Sequence, residues 1–135
     1  MTHPKNASPG SLRALTRVKR AIRIWATGAI TGAVTSLSFI LTHNALTVDL
    51  IFELWEFGIA IISITLIVTA LTLTTRSKIY IALPVAYLTL LMPVLGAFFG
   101  SSGSESLWQF AVLGMTGGLI WSTPFTLWTL VKSKS

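Results

Sequence analysis

The chain has 135 residues, of which 53% are hydrophobic and only 10% charged, against about 25% charged in an ordinary soluble domain. With a mean hydropathy of +0.76, so few charges cannot cover a water-exposed surface, which excludes a soluble domain and points to an integral membrane protein of one domain. The absence of cysteine excludes disulfides, thiolate metal sites and cysteine nucleophiles, and the formal charge of +6 acquires meaning only from where the charges fall.

Residues 1–23 form a basic segment. Within SLRALTRVKRAIRIW, residues 11–25, Leu12, Leu15, Val18, Ile22 and Trp25 share one helical face, and Arg13, Arg17, Arg20 and Arg23 take the opposite side. Gly10 and Ser11 after Pro9 provide a helix start. Two readings apply to Arg13, Arg17, Lys19, Arg20 and Arg23. They bind anionic lipid headgroups as a surface helix, at about 1 kcal/mol per basic residue, or they serve as a cytoplasmic flank that fixes orientation. The apolar run that follows is too long for a signal peptide and lacks an A-x-A site, so the start reads as a signal anchor, with an organellar transit peptide as the lesser reading. Asn6-Ala7-Ser8 matches a glycosylation sequon but falls on the cytoplasmic side, where it stays unmodified.

Four apolar runs follow, each near the ~20 residues a bilayer requires. They cover about residues 24–42, 50–75, 79–99 and 107–131, with a tail at 132–135. Short connections predict antiparallel neighbours. The expected fold is therefore all-α: an up-and-down bundle of four transmembrane helices with short loops, preceded by the basic amphipathic segment.

All ten Lys and Arg residues flank these runs on one side, before the first, between the second and third, and after the fourth. Asp49, Glu53, Glu56 and Glu105 fall on the other. The positive-inside rule then predicts cytoplasmic termini and a bacterial inner-membrane location. Trp25, Tyr80 and Trp128 mark the inner boundary, Trp55 and Trp108 the outer one. Trp108 to Trp128 spans roughly 30 Å of helix, which matches the hydrocarbon thickness.

Inside the runs, Gly28, Gly32 and Ser36 recur at four-residue spacing, as do Gly114, Gly118 and Ser122. Such stripes let helix backbones approach closely. By residue count Trp121 and Phe125 lie at the depth of Gly32 and Gly28, so these aromatics are predicted to fill the glycine groove of the first helix. The alternative is that one stripe faces a second copy. Pro84, Pro93 and Pro124 predict kinks. Tyr87 is a deep polar group whose hydroxyl is expected to bond a neighbouring Ser, Thr or freed carbonyl.

Asp49, Glu53 and Glu56 share one face within an arc of about 60°, and His43 lies one short loop away. This set is the candidate outer cluster for a cation or a basic partner. The simpler reading puts the three carboxylates in the wet interface, because Glu56 to Thr75 already covers about 30 Å. No metal or cofactor is expected. No run carries an ionisable group near its middle, which argues against proton-coupled transport, and no catalytic motif is present. The sequence thus predicts a non-enzymatic accessory, assembly or interaction subunit that acts through helix packing and lipid contacts. Its partners are membrane lipids, anionic on the cytoplasmic side, and a membrane protein or further copies of itself, with no nucleic acid. The alternative is a small oligomeric transporter, channel or holin-like pore with an acidic outer entrance.

Overall fold

A computed structural model describes residues 9–46, 54–98 and 106–132. They form four helices, α1 (Pro9–Leu46), α2 (Leu54–Thr75), α3 (Ile79–Phe98) and α4 (Leu107–Val131). Helices α1, α2 and α4 are long and apolar enough to cross a membrane, whereas the described apolar stretch of α3, Ile79–Leu91, is shorter. Length and composition therefore support three spans among the described residues, and the fourth predicted run coincides with the 20-residue α3.

Helix α1 runs for 38 residues without a break, about 57 Å at 1.5 Å per residue. The change from basic to apolar at Arg23 and Ile24 leaves no mark on the backbone. Nothing between Ser11 and Thr27 is a glycine or proline, so no residue stops the helix there. The basic segment and the first apolar run are one rod.

Helices α1 and α4 form the closest pairing, and the glycine stripes explain it. A Cβ built on Gly28 would lie 2.8 Å from the Gly118 carbonyl oxygen and would overlap the Ser122 side chain. One on Gly32 would lie 2.8 Å from the Gly118 Cα and would collide with the Gly114 carbonyl, and Gly114 in turn faces Ser36. Ascending positions on α1 meet descending positions on α4, so the two helices are antiparallel. The nearest neighbours of Gly28 and Gly32 are therefore the opposing stripe and not Trp121 or Phe125. Two small faces close on each other until backbone meets backbone, which leaves no groove for an indole or phenyl ring.

A second seam joins α1, α2 and α3. Ile64 and Val68 of α2 are fully buried and pack with Phe39 of α1 and with Ala82, Ala86 and Leu90 of α3. Gly117, on another face of α4, meets Thr89 of α3, whose Cγ2 would lie 3.1 Å from an added Cβ. Among the described residues, α1 and α3 each touch all three other helices, while α2 and α4 do not touch each other.

Hydroxyls inside these seams are mostly satisfied within their own helices. Thr35 donates to the Thr31 carbonyl at 2.8 Å and Thr89 to the Val85 carbonyl at 2.7 Å. This i−4 back-bonding lets a threonine occupy an apolar interior without an unmet donor. Between helices, the hydroxyls of Tyr87 and Thr65 are 2.6 Å apart. Because Thr65 already donates to the Ile61 carbonyl at 2.8 Å, Tyr87 is the donor of the pair. The hydroxyl partner that the sequence predicts for Tyr87 is thus a threonine of α2.

The turn between α2 and α3 ends α2 in an unusual way. The Ser77 N–H reaches back to the Thr72 carbonyl at 3.1 Å, a Schellman closure. The residue in the left-handed position is Arg76, with φ 50°, where glycine is the ordinary choice. Lys78 then opens α3, its carbonyl accepting from the N–H groups of Ile81 and Ala82 at 2.9 and 3.1 Å. At the other end, Ser106 precedes α4 in an extended conformation, and its N–H donates to the Gln109 side chain at 2.8 Å.

Candidate functional site

The basic ends of the helices do not simply splay into solvent. Arg23 of α1 donates to the carbonyl of Thr75 at 3.0 Å. That oxygen is one of the acceptors a helix C-terminus leaves without an intrahelical partner, and it lies at the negative end of the helix dipole. The bond draws the α2–α3 turn against α1 and with it Arg76 and Lys78. Lys132, at the end of α4, completes the approach from the opposite side.

Together these groups surround a cavity of about 780 Å³. Its rim carries Arg20, Arg23, Arg76, Lys78 and Lys132, five cations from three separate parts of the chain. Two of the cations rest on rings: the Lys78 ammonium is 5.4 Å from the Tyr80 centroid and the Lys132 ammonium 6.0 Å from that of Trp128. Each contact restrains a lysine at the boundary where an amphipathic ring is favoured.

Below the rim the lining turns apolar, through Ile24, Ile81, Val85 and Phe125. Farthest in are Gly28 and Thr31, about 12 Å along α1 from Arg23 to Thr31. Thr27 and Thr129 also line the space, but they donate to the carbonyls of Arg23 and Phe125 at 2.7 and 2.9 Å. Thr31 differs. It is fully buried, and its hydroxyl has no hydrogen-bond partner among the described residues.

Of the remaining basic residues, Arg13, Arg17 and Lys19 lie farther out on α1, and Lys5 and Lys134 lie outside the described residues. Arg13 and Arg17, with Arg20, line a smaller cavity of about 350 Å³ that is closed by Leu12, Thr16 and Thr129. Lys19 is exposed and belongs to neither wall. The five residues grouped by the sequence as one lipid-facing set thus divide. Arg20 and Arg23 line the large cavity, Arg13 and Arg17 the small one, and Lys19 stands outside both.

Of the outer cluster, only part falls within the described residues. His43 is half-buried in the last turn of α1, its ring parallel to that of Phe39 with centroids 6.4 Å apart. Asp49, Glu53 and Glu105 lie outside the described residues, and of Glu56 only the backbone, in the first turn of α2, is described. The packing set is placed in full: Gly28, Gly32 and Ser36 face Gly114, Gly118 and Ser122, Phe125 lines the large cavity, and Trp121 holds a buried indole N–H with no partner among the described residues.

Comparison with protein-family models, with curated proteins and with solved structures finds no match to this chain.

Proposed function

We propose that this chain is a small multi-pass protein of the bacterial inner membrane with both termini in the cytoplasm, built as an up-and-down bundle and acting as a non-enzymatic accessory or interaction subunit. The observation that carries the membrane assignment is the distribution of side chains. Thr31, Thr35, Ser36, Thr89 and Ser122 are buried, while Leu66, Leu73, Ile62 and Trp108 are each more than 60% exposed. An apolar exterior around a hydroxyl-rich interior suits lipid, and in water it would drive aggregation. The inward orientation rests on the gathering of Arg20, Arg23, Arg76, Lys78 and Lys132 at one end. The outer helix faces are then the surfaces through which a partner subunit is met.

The large basic cavity favours a second reading, an oligomeric transporter or pore in which it forms one mouth. Because the chain has no cysteine, single cysteines report cleanly. Resistance to carbonate extraction, with Lys132→Cys labelled only after the inner face is opened, is the expected result. Labelling from the outer face of intact cells would refute the orientation. Native mass spectrometry from mild detergent separates the two functional readings: co-purification with another membrane protein supports the accessory role, and a closed homo-oligomer supports the pore.

A further inference from the structure

The five cations around the large cavity present a problem of physical chemistry. Like charges that share one rim repel, and ion pairs ordinarily relieve the repulsion. The side chains of the four acidic residues lie outside the described residues, and Glu56 opens α2 at the end remote from Thr75, about 28 Å along the helix.

The backbone at the rim adds a second argument. Arg76 holds a left-handed conformation, φ 50°, that glycine would adopt without steric cost. Strain of this kind, at a cavity mouth and on a cation, is what a binding function retains against stability. The depth profile supplies a third. From the rim inward the lining passes from guanidinium and ammonium groups, through aromatic rings, to Val85 and Ile81, beside the fully buried Thr31. A volume of about 780 Å³ lies within the usual range for a small-molecule site, ~300–1,000 Å³.

We propose that this cavity binds a phosphate group of an anionic phospholipid. The phosphate is held among Arg23, Arg76, Lys78 and Lys132, and the start of the acyl region enters the apolar part. Guanidinium forks suit phosphate oxygens, and Arg23 has further N–H groups beyond the one committed to Thr75. This proposal rests on the membrane reading given above and sharpens its lipid contacts from a charged surface to a defined site. A free phosphate would satisfy the rim alone, but it has no use for the apolar interior.

The test uses the purified full chain in mild detergent, exchanged into lipid nanodiscs of phosphatidylglycerol or phosphatidylcholine, or into detergent with inorganic phosphate. Native mass spectrometry reads retained ligand, and vesicle flotation after a carbonate wash separately reports membrane insertion. One phosphatidylglycerol retained per chain, with little phosphatidylcholine, is expected. Lys78→Gln with Lys132→Gln should weaken retention at least about tenfold, while Arg13→Gln with Lys19→Gln, which removes the same charge off the large cavity, should leave it unchanged. Phosphate bound alone, without selective lipid retention, would overturn the lipid source and assign the rim to a soluble anion. Equal loss in both charge variants, or equal retention of both lipids by a chain that still floats, would overturn the site. A chain that fails to float would instead refute the membrane reading.

Discussion

The carbonyl oxygen of Gly114 occupies the place where a Cβ on Gly32 would sit. The pairing of α1 with α4 therefore depends on two missing side chains at one point, and neither neighbour can swing aside, because the obstructing atoms are backbone. Replacing Gly32 with Ala should destabilise the fold by about 1–3 kcal/mol, and Gly32→Leu by more. Gly58 on α2 has no atom within 4 Å of its added Cβ, so Gly58→Ala should be neutral or stabilising by up to ~1 kcal/mol. Thermal unfolding in detergent compares the two. Equal melting temperatures for Gly32→Ala and the parent would remove the seam from the account of stability.

The Tyr87 hydroxyl bonds Thr65 across α2 and α3 at 2.6 Å. Tyr87→Phe should cost about 0.5–1.5 kcal/mol, the range for interhelical hydrogen bonds in membranes. Thr65→Val made on top of Tyr87→Phe should add little for this contact, since the phenolic partner is already gone. A double-mutant cycle checks the coupling, and strictly additive effects would show that the pair contributes nothing.

Trp25 donates its indole N–H to the Leu119 carbonyl at 3.2 Å. The hydroxyls of Ser122 and Thr123 bond the same oxygen at 3.1 and 2.7 Å, one turn before Pro124. Trp25→Phe keeps an aromatic ring and loses only the donor, so the expected cost is about 0.5–1 kcal/mol, with the carbonyl still served by Ser122 and Thr123. A blue-shifted tryptophan signal attributable to Trp25, lost in Trp25→Phe, would locate the ring against α4 independently.

Arg76→Gly should separate stability from binding. Glycine removes the left-handed penalty on Arg76, so the melting temperature should hold or rise, with a gain of up to about 1 kcal/mol after the added freedom of the unfolded chain. The same substitution removes one rim cation, so retention of anionic lipid should fall. A drop in both properties would mean that the Arg76 side chain supports the fold directly.

Helix α4 was legible almost residue by residue, because its apolar run is bounded by a polar loop before Leu107 and by Lys132 after Val131. The start of the apolar run at Ile24 was not a structural boundary. Charge changes there, but helix propensity does not, and the backbone follows propensity. Both glycine stripes were visible as packing surfaces. Their mutual contact was missed because matching by depth favours filling a groove with a large ring, whereas two small faces gain more from direct backbone approach. The cavity was the least legible feature. Arg23 and Lys132 are far apart in sequence, and their shared rim depends on the Arg23–Thr75 bond, which no local pattern announces. A Thr-Arg-Ser-Lys turn likewise gives no hint that its arginine holds a position typical of glycine.

The α1–α4 seam also decides how the cavity can change shape. Backbone pressed on backbone at Gly28, Gly32, Gly114 and Gly118 has no rotamers to exchange, so these two helices move as one plate. Among the described residues, the side-chain bond from Arg23 to Thr75 tethers the turn bearing Arg76 and Lys78 to that plate at the rim. Any change in cavity shape is therefore expected on one side, at the α2–α3 turn, with Arg23 as the tie that limits it.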